Sequence, residues 1–207
     1  MKVLVEKEAE DFLEKEGFPV AKRKMVKTEE EMLKAAKEIG YPLVLKVVSE
    51  KILHKSDVGG VKTDLRSENE SRAAFKEIMN IKDAEACLVQ KFIIGDWFLI
   101  GLKKDPTFNH VIAFGTGGIY TEVVKDVALR ICPIGIEEVR KMMKETKSYK
   151  ILEGIRGKRL NIESVENLLL KTSDLTKKYP NIQELDINPL VVNEKESVVV
   201  DVRIVLD

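Results

Sequence analysis

The chain has 207 residues, of which 44% are hydrophobic and 34% are charged, and its 35 basic side chains balance its 35 acidic ones. A formal net charge of zero argues against nucleic acid or an anionic membrane as the main partner, because both attract a basic excess. The length suffices for one large domain or two small ones. No apolar run approaches the roughly 20 residues of a membrane span, and the N-terminus has no signal-peptide core. We therefore expect a cytoplasmic protein.

Helices and strands alternate in the first part of the chain. Apolar spacing predicts an amphipathic helix that Gly17 ends, followed by an extended segment. Thr28 and Glu31 form a capping box that opens a second helix, and Ser67 and Glu70 form another. These patterns predict helices over 6–16, 28–39 and 67–80 and extended segments over 18–26, 43–48 and 61–65.

Strands dominate the middle of the chain, and helices return before a final hairpin. Breaks between elements fall at Gly95 and at Asp105–Pro106. The mixed order predicts an α+β protein, with a smaller part over 1–82 and a larger part over 83–207. The predicted elements are strands over 87–92, 97–102, 111–114, 120–124, 127–131, 187–192 and 197–205 and helices over 137–147 and 162–178.

Neither cysteine suggests a metal site or a disulfide. Cys87 and Cys132 lie far apart in apolar runs without zinc-type spacing, so we interpret both as buried thiols in a reducing compartment. The chain has two histidines. We interpret His110, near a proline turn, as a surface residue, which leaves His54 as the histidine with a chemical context.

The first candidate site is an apolar strand and the polar loop after it. Lys46 lies inside the strand, where an ammonium is costly to desolvate unless an anion meets it. The loop holds His54 and Asp57 and ends at Gly59 and Gly60, whose backbone could approach an anion closely. An imidazole can accept or relay a phosphoryl group, and Asp57 could orient it. We predict a nucleotide phosphate site with a working histidine; the alternatives are a lysine paired with a carboxylate and a structural histidine.

Three weaker signals accompany this site. Lys22 and Lys24 precede the strand and could also face phosphate, although surface solvation is the better interpretation of Lys24. The glycine loop 115–118 could cradle an anion or fit against a partner. As a bare glycine motif it carries little weight.

The C-terminal hairpin carries the second candidate site. A two-residue turn at Glu194 and Lys195 would bring Asn188 directly opposite Asp201, with Cβ atoms roughly 5 Å apart on one face. An amide oxygen and a carboxylate there could share Mg²⁺ that bridges nucleotide phosphates. The alternative is a polar pair at the end of a hairpin, but the apolar run around Asp201 argues against a charge without a function. We predict a metal site at Asn188 and Asp201.

Five motifs recur in the same order in a known family. They accompany Lys46 in its strand, and the His-Lys-Ser-Asp sequence at 54–57 is the most specific of them. Over nearly its whole length the chain resembles the ATP-grasp β subunit of ADP-forming acetyl-CoA synthetases (acyl-CoA ligases), relatives of succinyl-CoA synthetase. The motifs lie at 54–61, 114–119, 122–126, 186–190 and 200–201.

The resemblance implies an ATP-grasp fold, with nucleotide held between two α+β subdomains. It implies an acid-thiol ligase that is active only with a CoA-binding α subunit and catalyses acyl-CoA + ADP + phosphate ⇌ acid + CoA + ATP. It further implies that His54 passes the phosphoryl group to or from ATP/ADP, and that Lys46 contacts phosphate. Asn188 and Asp201 match the Mg²⁺ ligands. By resemblance we also expect an α₂β₂-type assembly.

The interdomain hinge departs from the family pattern. The family usually has Val-Gln-Glu and then Gly-x-Glu, whose glutamates help to hold the nucleotide. This chain has Gln90 and Lys91 in the hinge, and Trp97 follows Gly95-Asp96. We expect the backbone at Gln90 and Lys91, and the Lys91 side chain, to hold adenine, and the preference between ADP and GDP stays open.

Two alternatives compete with the ligase subunit. The first is a nucleotide-sensing regulatory subunit that has lost turnover, which the absent hinge glutamates favour and the intact Lys46, His54, Asn188 and Asp201 oppose. The second is the β subunit of a succinyl-CoA synthetase, which the short chain and the His-Lys-Ser-Asp loop disfavour. The sequence does not name the acid.

Overall fold

The computed structural model describes residues 1–5, 7–49, 51–52, 55–118, 126–154 and 159–207. The chain divides into two compact units. The small unit is Ala21–Ile93, and the large unit joins Met1–Val20 to Ile94–Asp207. The helices are α1 (Lys7–Lys15), α2 (Glu29–Ile39), α3 (Glu68–Met79), α4 (Ile136–Glu145), α5 (Tyr149–Glu153) and α6 (Ile162–Lys178). The strands are β1 (Lys2–Val5), β2 (Arg23–Val26), β3 (Leu43–Val48), β4 (Val61–Leu65), β5 (Ala86–Lys91), β6 (Asp96–Asp105), β7 (Asn109–Thr116), β8 (Val127–Ile131), β9 (Ile182–Val192), β10 (Ser197–Val199) and β11 (Val202–Leu206).

The small unit is a four-stranded antiparallel sheet with two helices on one face. Its strand order is β2-β5-β3-β4, and α2 and α3 share a single apolar core with the sheet. Leu43, Leu45 and Val47 of β3 belong to that core. Because side chains alternate along a strand, Lys46 lies on the opposite face of the sheet, turned away from the helices.

Side chains cap both helices of the small unit as the sequence predicts. The Thr28 hydroxyl accepts the Glu31 N–H at 3.2 Å, and the Glu31 carboxylate accepts the Thr28 N–H at 3.3 Å, which completes a capping box. The Ser67 hydroxyl accepts the Glu70 N–H at 3.3 Å, while the Glu70 carboxylate accepts the N–H of Arg66 at 2.8 Å. The boundaries of α2 and α3 therefore follow from local sequence.

The large unit is a seven-stranded antiparallel sheet with helices on one face. Its order is β1-β11-β9-β6-β7-β8, with β10 beside β9. Phe98, Ile100 and Leu102 of β6 lie in one core with residues of α1, α4 and α6. Trp97 precedes the buried Phe98 and Asn188 follows the buried Ile187, so both point away from that core. We call this second side of the sheet the outer face.

The boundary between the units differs from the predicted division into 1–82 and 83–207. Strand β1 pairs with β11, so the first 20 residues join the large unit. Strand β5 pairs with β2 and β3, so the residues up to Ile93 join the small unit. Both differences arise from strand pairing between distant segments, which the order of elements does not reveal.

Most predicted elements are present with shifted ends. The helix predicted over 162–178 has those ends, and the strand predicted over 97–102 extends to Asp96–Asp105. Strand β1 and the short helix α5 were not predicted, and the strand predicted at 120–124 lies outside the described residues. Within the part of the chain that is described, no helix is long and apolar enough to cross a membrane.

Both thiols are buried, but the interpretation of His110 was wrong. Burial raises the pKa of the Cys87 thiol to about 12 and also raises that of Cys132. His110 is 0% exposed, and its Nε2 bonds the carbonyl oxygen of Ile182 at 2.8 Å. The ring is held by a contact from the far end of the chain, which the nearby turn sequence does not indicate.

Candidate functional site

Lys46 and Gln90 share the face of the small sheet that is turned away from α2 and α3. Lys46 is 5% exposed and Gln90 is 1% exposed. Gln90 of β5 lies directly opposite Val44 of β3, and Lys46 lies two residues further along β3 on the same side. Strand pairing thus places a buried cation and a buried carboxamide on one face, and both side chains have N–H groups that can donate to an anion.

Arg23 joins this face, whereas the two lysines beside it do not. Arg23 lies directly opposite Gln90 in the pairing of β2 with β5, and its side chain is half-buried. Lys22 precedes the strand with an exposed side chain. Lys24 is exposed and pairs with Glu38 of α2, in accord with its interpretation as a surface residue. Sequence reasoning missed Arg23; the alternation of β2 would have identified it once the pairing with β5 was known.

Backbone hydrogen bonds close the loop before β4 on itself. The Gly60 N–H donates to the carbonyl of Lys55 at 2.8 Å, and the Gly59 N–H donates to that of Ser56 at 3.2 Å. Gly60 also packs so closely on Val47 that a side chain would not fit. As arranged, both glycine amides are engaged within the loop. That they hold an anion stays a prediction.

The predicted catalytic pair is described only in part. Asp57 lies in the turn before the glycines with an exposed side chain. His54 lies outside the described residues. The roles of His54 and Asp57 therefore stay predictions from the sequence.

The Lys91 ammonium is engaged with backbone. Its Nζ donates to the carbonyl oxygens of Gly40 at 2.9 Å and Tyr41 at 2.7 Å, just after α2 ends. A cation there complements the carbonyl end of a helix. The backbone N–H of Lys91 donates to the carbonyl of Lys22 at 2.8 Å. As arranged, this residue joins the end of β5 to its neighbours, and adenine binding by Lys91 stays a prediction.

The hairpin register predicted for Asn188 and Asp201 is confirmed. Ser197 pairs with Val192, and the same register continues to the pairing of Val202 with Ile187. Asn188 donates its backbone N–H to the carbonyl of Asp201 at 3.2 Å. Asn188 lies in β9 and Asp201 lies opposite it, between β10 and β11, so the register places both side chains on the outer face of the large sheet.

Oxygen atoms and negative charge surround this pair. Asn188 Oδ1 accepts the N–H of Gly118 at 2.6 Å. Burial, together with the charges of Glu184 and Asp201, raises the pKa of Asp186 to about 6, against the opposing effect of Arg203. Oxygen ligands among several carboxylates suit a hard divalent cation such as Mg²⁺, so the residues present fit this group.

Clusters and clefts elsewhere offer no stronger site. The described residues include no group of three or more His, Cys, Asp or Glu side chains that could hold a metal by themselves. Two surface clefts of the large unit have volumes of about 660 and 600 Å³. Among the described residues that line them there is none of the predicted site residues.

The fold and these residues define a class of protein. The family model for the ATP-grasp domain matches residues 1–206, so this chain is an ATP-grasp protein. It is 40% identical to subunit beta of acetate–CoA ligase (ADP-forming) I of Pyrococcus furiosus, over 98% of this chain and 91% of that protein. The chain belongs to the family of ADP-forming acetate–CoA ligase β subunits, as the resemblance of its motifs indicates.

Solved structures agree with this assignment. A structure of the dinucleotide-forming acetyl-coenzyme A synthetase 1 of Ca. Korarchaeum cryptofilum, in complex with coenzyme A and Ca-AMPCP, matches with a TM-score of 0.93 and 40% identity, over 100% of this chain and 94% of that one. A second structure of that enzyme contains Mg-AMPPCP and a phosphohistidine segment that points towards the nucleotide binding site; it matches with a TM-score of 0.88 and 40% identity, over 100% of this chain and 93% of that one. The predicted ATP-grasp fold is confirmed.

Proposed function

We propose that this chain is the nucleotide-binding β subunit of an ADP-forming acyl-CoA ligase, an acid-thiol ligase. The observation that carries the proposal is the 40% identity with the P. furiosus β subunit over 98% of this chain. The chain also spans 91% of that relative, so nearly every part of the relative has a counterpart here. We assign the reaction acyl-CoA + ADP + phosphate ⇌ acid + CoA + ATP.

His54 is the proposed phosphoryl carrier. In the direction from ATP, an imidazole nitrogen of His54 attacks the γ-phosphorus, the bond from that phosphorus to the ADP oxygen breaks, and ADP leaves. The phosphoryl group then passes from the imidazole nitrogen to the partner subunit. Asp57, three residues further along, is proposed to orient the ring.

Buried polar side chains of the small unit are proposed to bind phosphate. Lys46 supplies a fixed positive charge, and a desolvated cation stabilises the charge on a transferring phosphoryl group more strongly than one in water. Gln90 and Arg23 lie on the same sheet face and extend the set of donors. The exposure of Lys22 makes it the weaker candidate of the two neighbouring basic residues.

Asn188 and Asp201 are the proposed Mg²⁺ ligands of the large unit. Asn188 of β9 has a carbonyl oxygen, and Asp201, opposite it between β10 and β11, has a carboxylate. When bound, Mg²⁺ supplies charge neutralisation at the nucleotide phosphates. Two protein ligands leave the remaining positions to phosphate oxygens and water, as is usual for Mg²⁺.

A CoA-binding α subunit is the proposed partner. The P. furiosus relative is a subunit beta, and the Korarchaeum enzyme was solved with coenzyme A. We propose that the α subunit binds CoA and acid, in an α₂β₂-type assembly.

Phosphoryl transfer from γ-labelled Mg-ATP tests the proposal. The wild type and His54→Ala are incubated with label, with and without the α subunit. Acid-labile, base-stable label on the wild type alone would establish phosphohistidine at position 54, because His54→Ala retains the other histidine, His110. Absence of label from the wild type with a competent partner would contradict the relay.

A nucleotide-sensing subunit without turnover is the second candidate. The observation that favours it is that the Lys91 ammonium, at a hinge position where the family usually has glutamate, bonds the carbonyls of Gly40 and Tyr41. Nucleotide binding by equilibrium dialysis separates the two candidates. A chain that binds ATP tightly and never acquires label would be a sensor.

A further inference from the structure

The glycine segment after β7 is fastened to β6 at Trp97. Thr116 pairs with Phe98 at the end of the two strands. Beyond that pair, the Gly117 N–H donates to the carbonyl of Trp97 at 3.0 Å. The backbone of the segment is therefore fixed to the start of β6.

The Trp97 ring then covers Gly118. Gly118 has φ +77°, and a Cβ built on it would collide with the six-membered ring of Trp97. Only glycine combines this backbone angle with so close a ring. Trp97 is the single tryptophan of the chain and is 46% exposed, so its other face is open on the outer face of the sheet.

Gly118 in turn fixes the candidate metal ligand. Its N–H donates to Asn188 Oδ1 at 2.6 Å. A carboxamide can rotate by half a turn and exchange its oxygen for the NH₂ group, which cannot bind a cation. Because the Gly118 N–H is a donor, it can pair only with the oxygen of the carboxamide and so selects that orientation. Oδ1 has a second lone pair that can bind a cation.

We propose that Trp97 is a positioning residue for Mg²⁺ binding and that it acts through Gly118 on the orientation of the Asn188 carboxamide. The ring holds Gly118, the Gly118 N–H holds Oδ1, and Oδ1 would thereby be presented to a cation that Asn188 and Asp201 hold. This inference rests on the proposed assignment of Asn188 and Asp201 as Mg²⁺ ligands. It also gives a role to Trp97, which departs from the Gly-x-Glu pattern of the family.

The test measures how strongly Mg²⁺ couples to nucleotide binding. The dissociation constant of AMPPCP for the full chain is determined by equilibrium dialysis in Mg²⁺ and in EDTA, and the ratio of the two constants is the coupling. We expect Trp97→Ala to lower the coupling roughly tenfold, because the affinity in Mg²⁺ falls and that in EDTA does not. Trp97→Phe keeps a flat ring and should stay within about twofold of the wild type.

Two further variants complete the design. Asn188→Ala reports on the metal assignment itself and should lose the coupling. Phe108→Ala removes an aromatic ring that is 51% exposed in the turn after β6, and it should leave the coupling unchanged. If Trp97→Ala fails to fold, as judged by circular dichroism, Trp97→Leu provides the same comparison.

The outcomes separate this inference from the proposed function. A normal coupling in Trp97→Ala with a lost coupling in Asn188→Ala would overturn the positioning role alone. A normal coupling in both would overturn the metal assignment and the inference with it. An equal loss of affinity in Mg²⁺ and in EDTA would show that Trp97 contacts nucleotide directly, which also contradicts the inference.

Discussion

The two units carry different kinds of side chain on the sheet faces that are turned away from their helices. In the small unit, the sheet face opposite the helices holds a buried cation, Lys46, beside the buried carboxamide of Gln90. In the large unit, the corresponding face holds oxygen donors, Asn188 and Asp201, which are half-buried. A nucleoside triphosphate needs cations beside its phosphates, and Mg²⁺ needs oxygen ligands. We propose that the small unit supplies cations and that the large unit supplies oxygen ligands.

The difference in burial also has a physical cause. Burial lets the charge of Lys46 act at low dielectric on the phosphate that we propose it binds. A Mg²⁺ site must exchange water for phosphate oxygens as the nucleotide enters, so partial exposure of its ligands is appropriate. The comparison predicts that substitutions in the small unit change catalysis, whereas those in the large unit change the Mg²⁺ requirement.

The largest expected effect comes from removing the buried cation. Lys46→Met keeps the length and apolar stem of the side chain, and we expect it to lower kcat of the reconstituted enzyme by roughly a hundredfold or more, because a preorganised charge is lost. Lys24→Met is the matched control, since Lys24 is exposed and pairs with Glu38; it should stay within about twofold. Equal activities of the two variants would remove the phosphate role from Lys46.

A smaller and different effect is expected in the large unit. Asp201→Asn keeps the shape of the side chain and removes its charge, and we expect the Mg²⁺ concentration for half-maximal activity to rise roughly tenfold or more. Glu196→Gln, an exposed neutralisation at the hairpin turn, is the control for loss of charge alone. If saturating Mg²⁺ does not restore the activity of Asp201→Asn, the residue acts on more than the metal.

Two features of the candidate site could be predicted from local sequence. The opposition of Asn188 and Asp201 follows from a turn at Glu194 and Lys195, a local feature that fixes the register of a hairpin. Lys46 was recognisable because a charge interrupts an apolar strand. Both predictions depend on a few consecutive residues. The structure confirms the hairpin register and the burial of Lys46, and the chemical roles of these residues stay predictions.

Features that depend on distant contacts could not be predicted. Arg23 rather than Lys22 shares the face of Gln90 because β2 pairs with β5, more than 60 residues further along. The Lys91 ammonium bonds the end of α2, and His110 bonds a carbonyl 72 residues away. Propensity and spacing carry no information on such pairings. The glycine loop 115–118 looked like a weak anion motif, and its sequence gave no sign that the Gly118 N–H donates to Asn188 Oδ1, 70 residues further along.

The smallest expected effect distinguishes a structural carboxylate of the large unit from Asp201. Asp126 accepts the backbone N–H groups of Lys147 at 2.7 Å and Ser148 at 2.8 Å, and the Thr116 hydroxyl at 3.2 Å. Burial alone would raise the pKa of this carboxyl, but these hydrogen bonds outweigh it and lower the pKa below its ordinary value of 3.8. We expect Asp126→Asn to lower the free energy of unfolding by about 1–3 kcal/mol at neutral pH and to leave the Mg²⁺ requirement unchanged.

The pH dependence provides the check. Because the pKa of Asp126 is lower in the folded than in the unfolded chain, folding favours the ionised form. Its stabilisation is therefore present above about pH 4 and is lost as the pH falls through the folded pKa. Denaturant unfolding of the wild type and Asp126→Asn should show a difference that shrinks below that pH. A difference that persists unchanged into acid would assign the loss to shape rather than charge, and a shifted Mg²⁺ requirement would mean that Asp126 belongs with Asp201 after all.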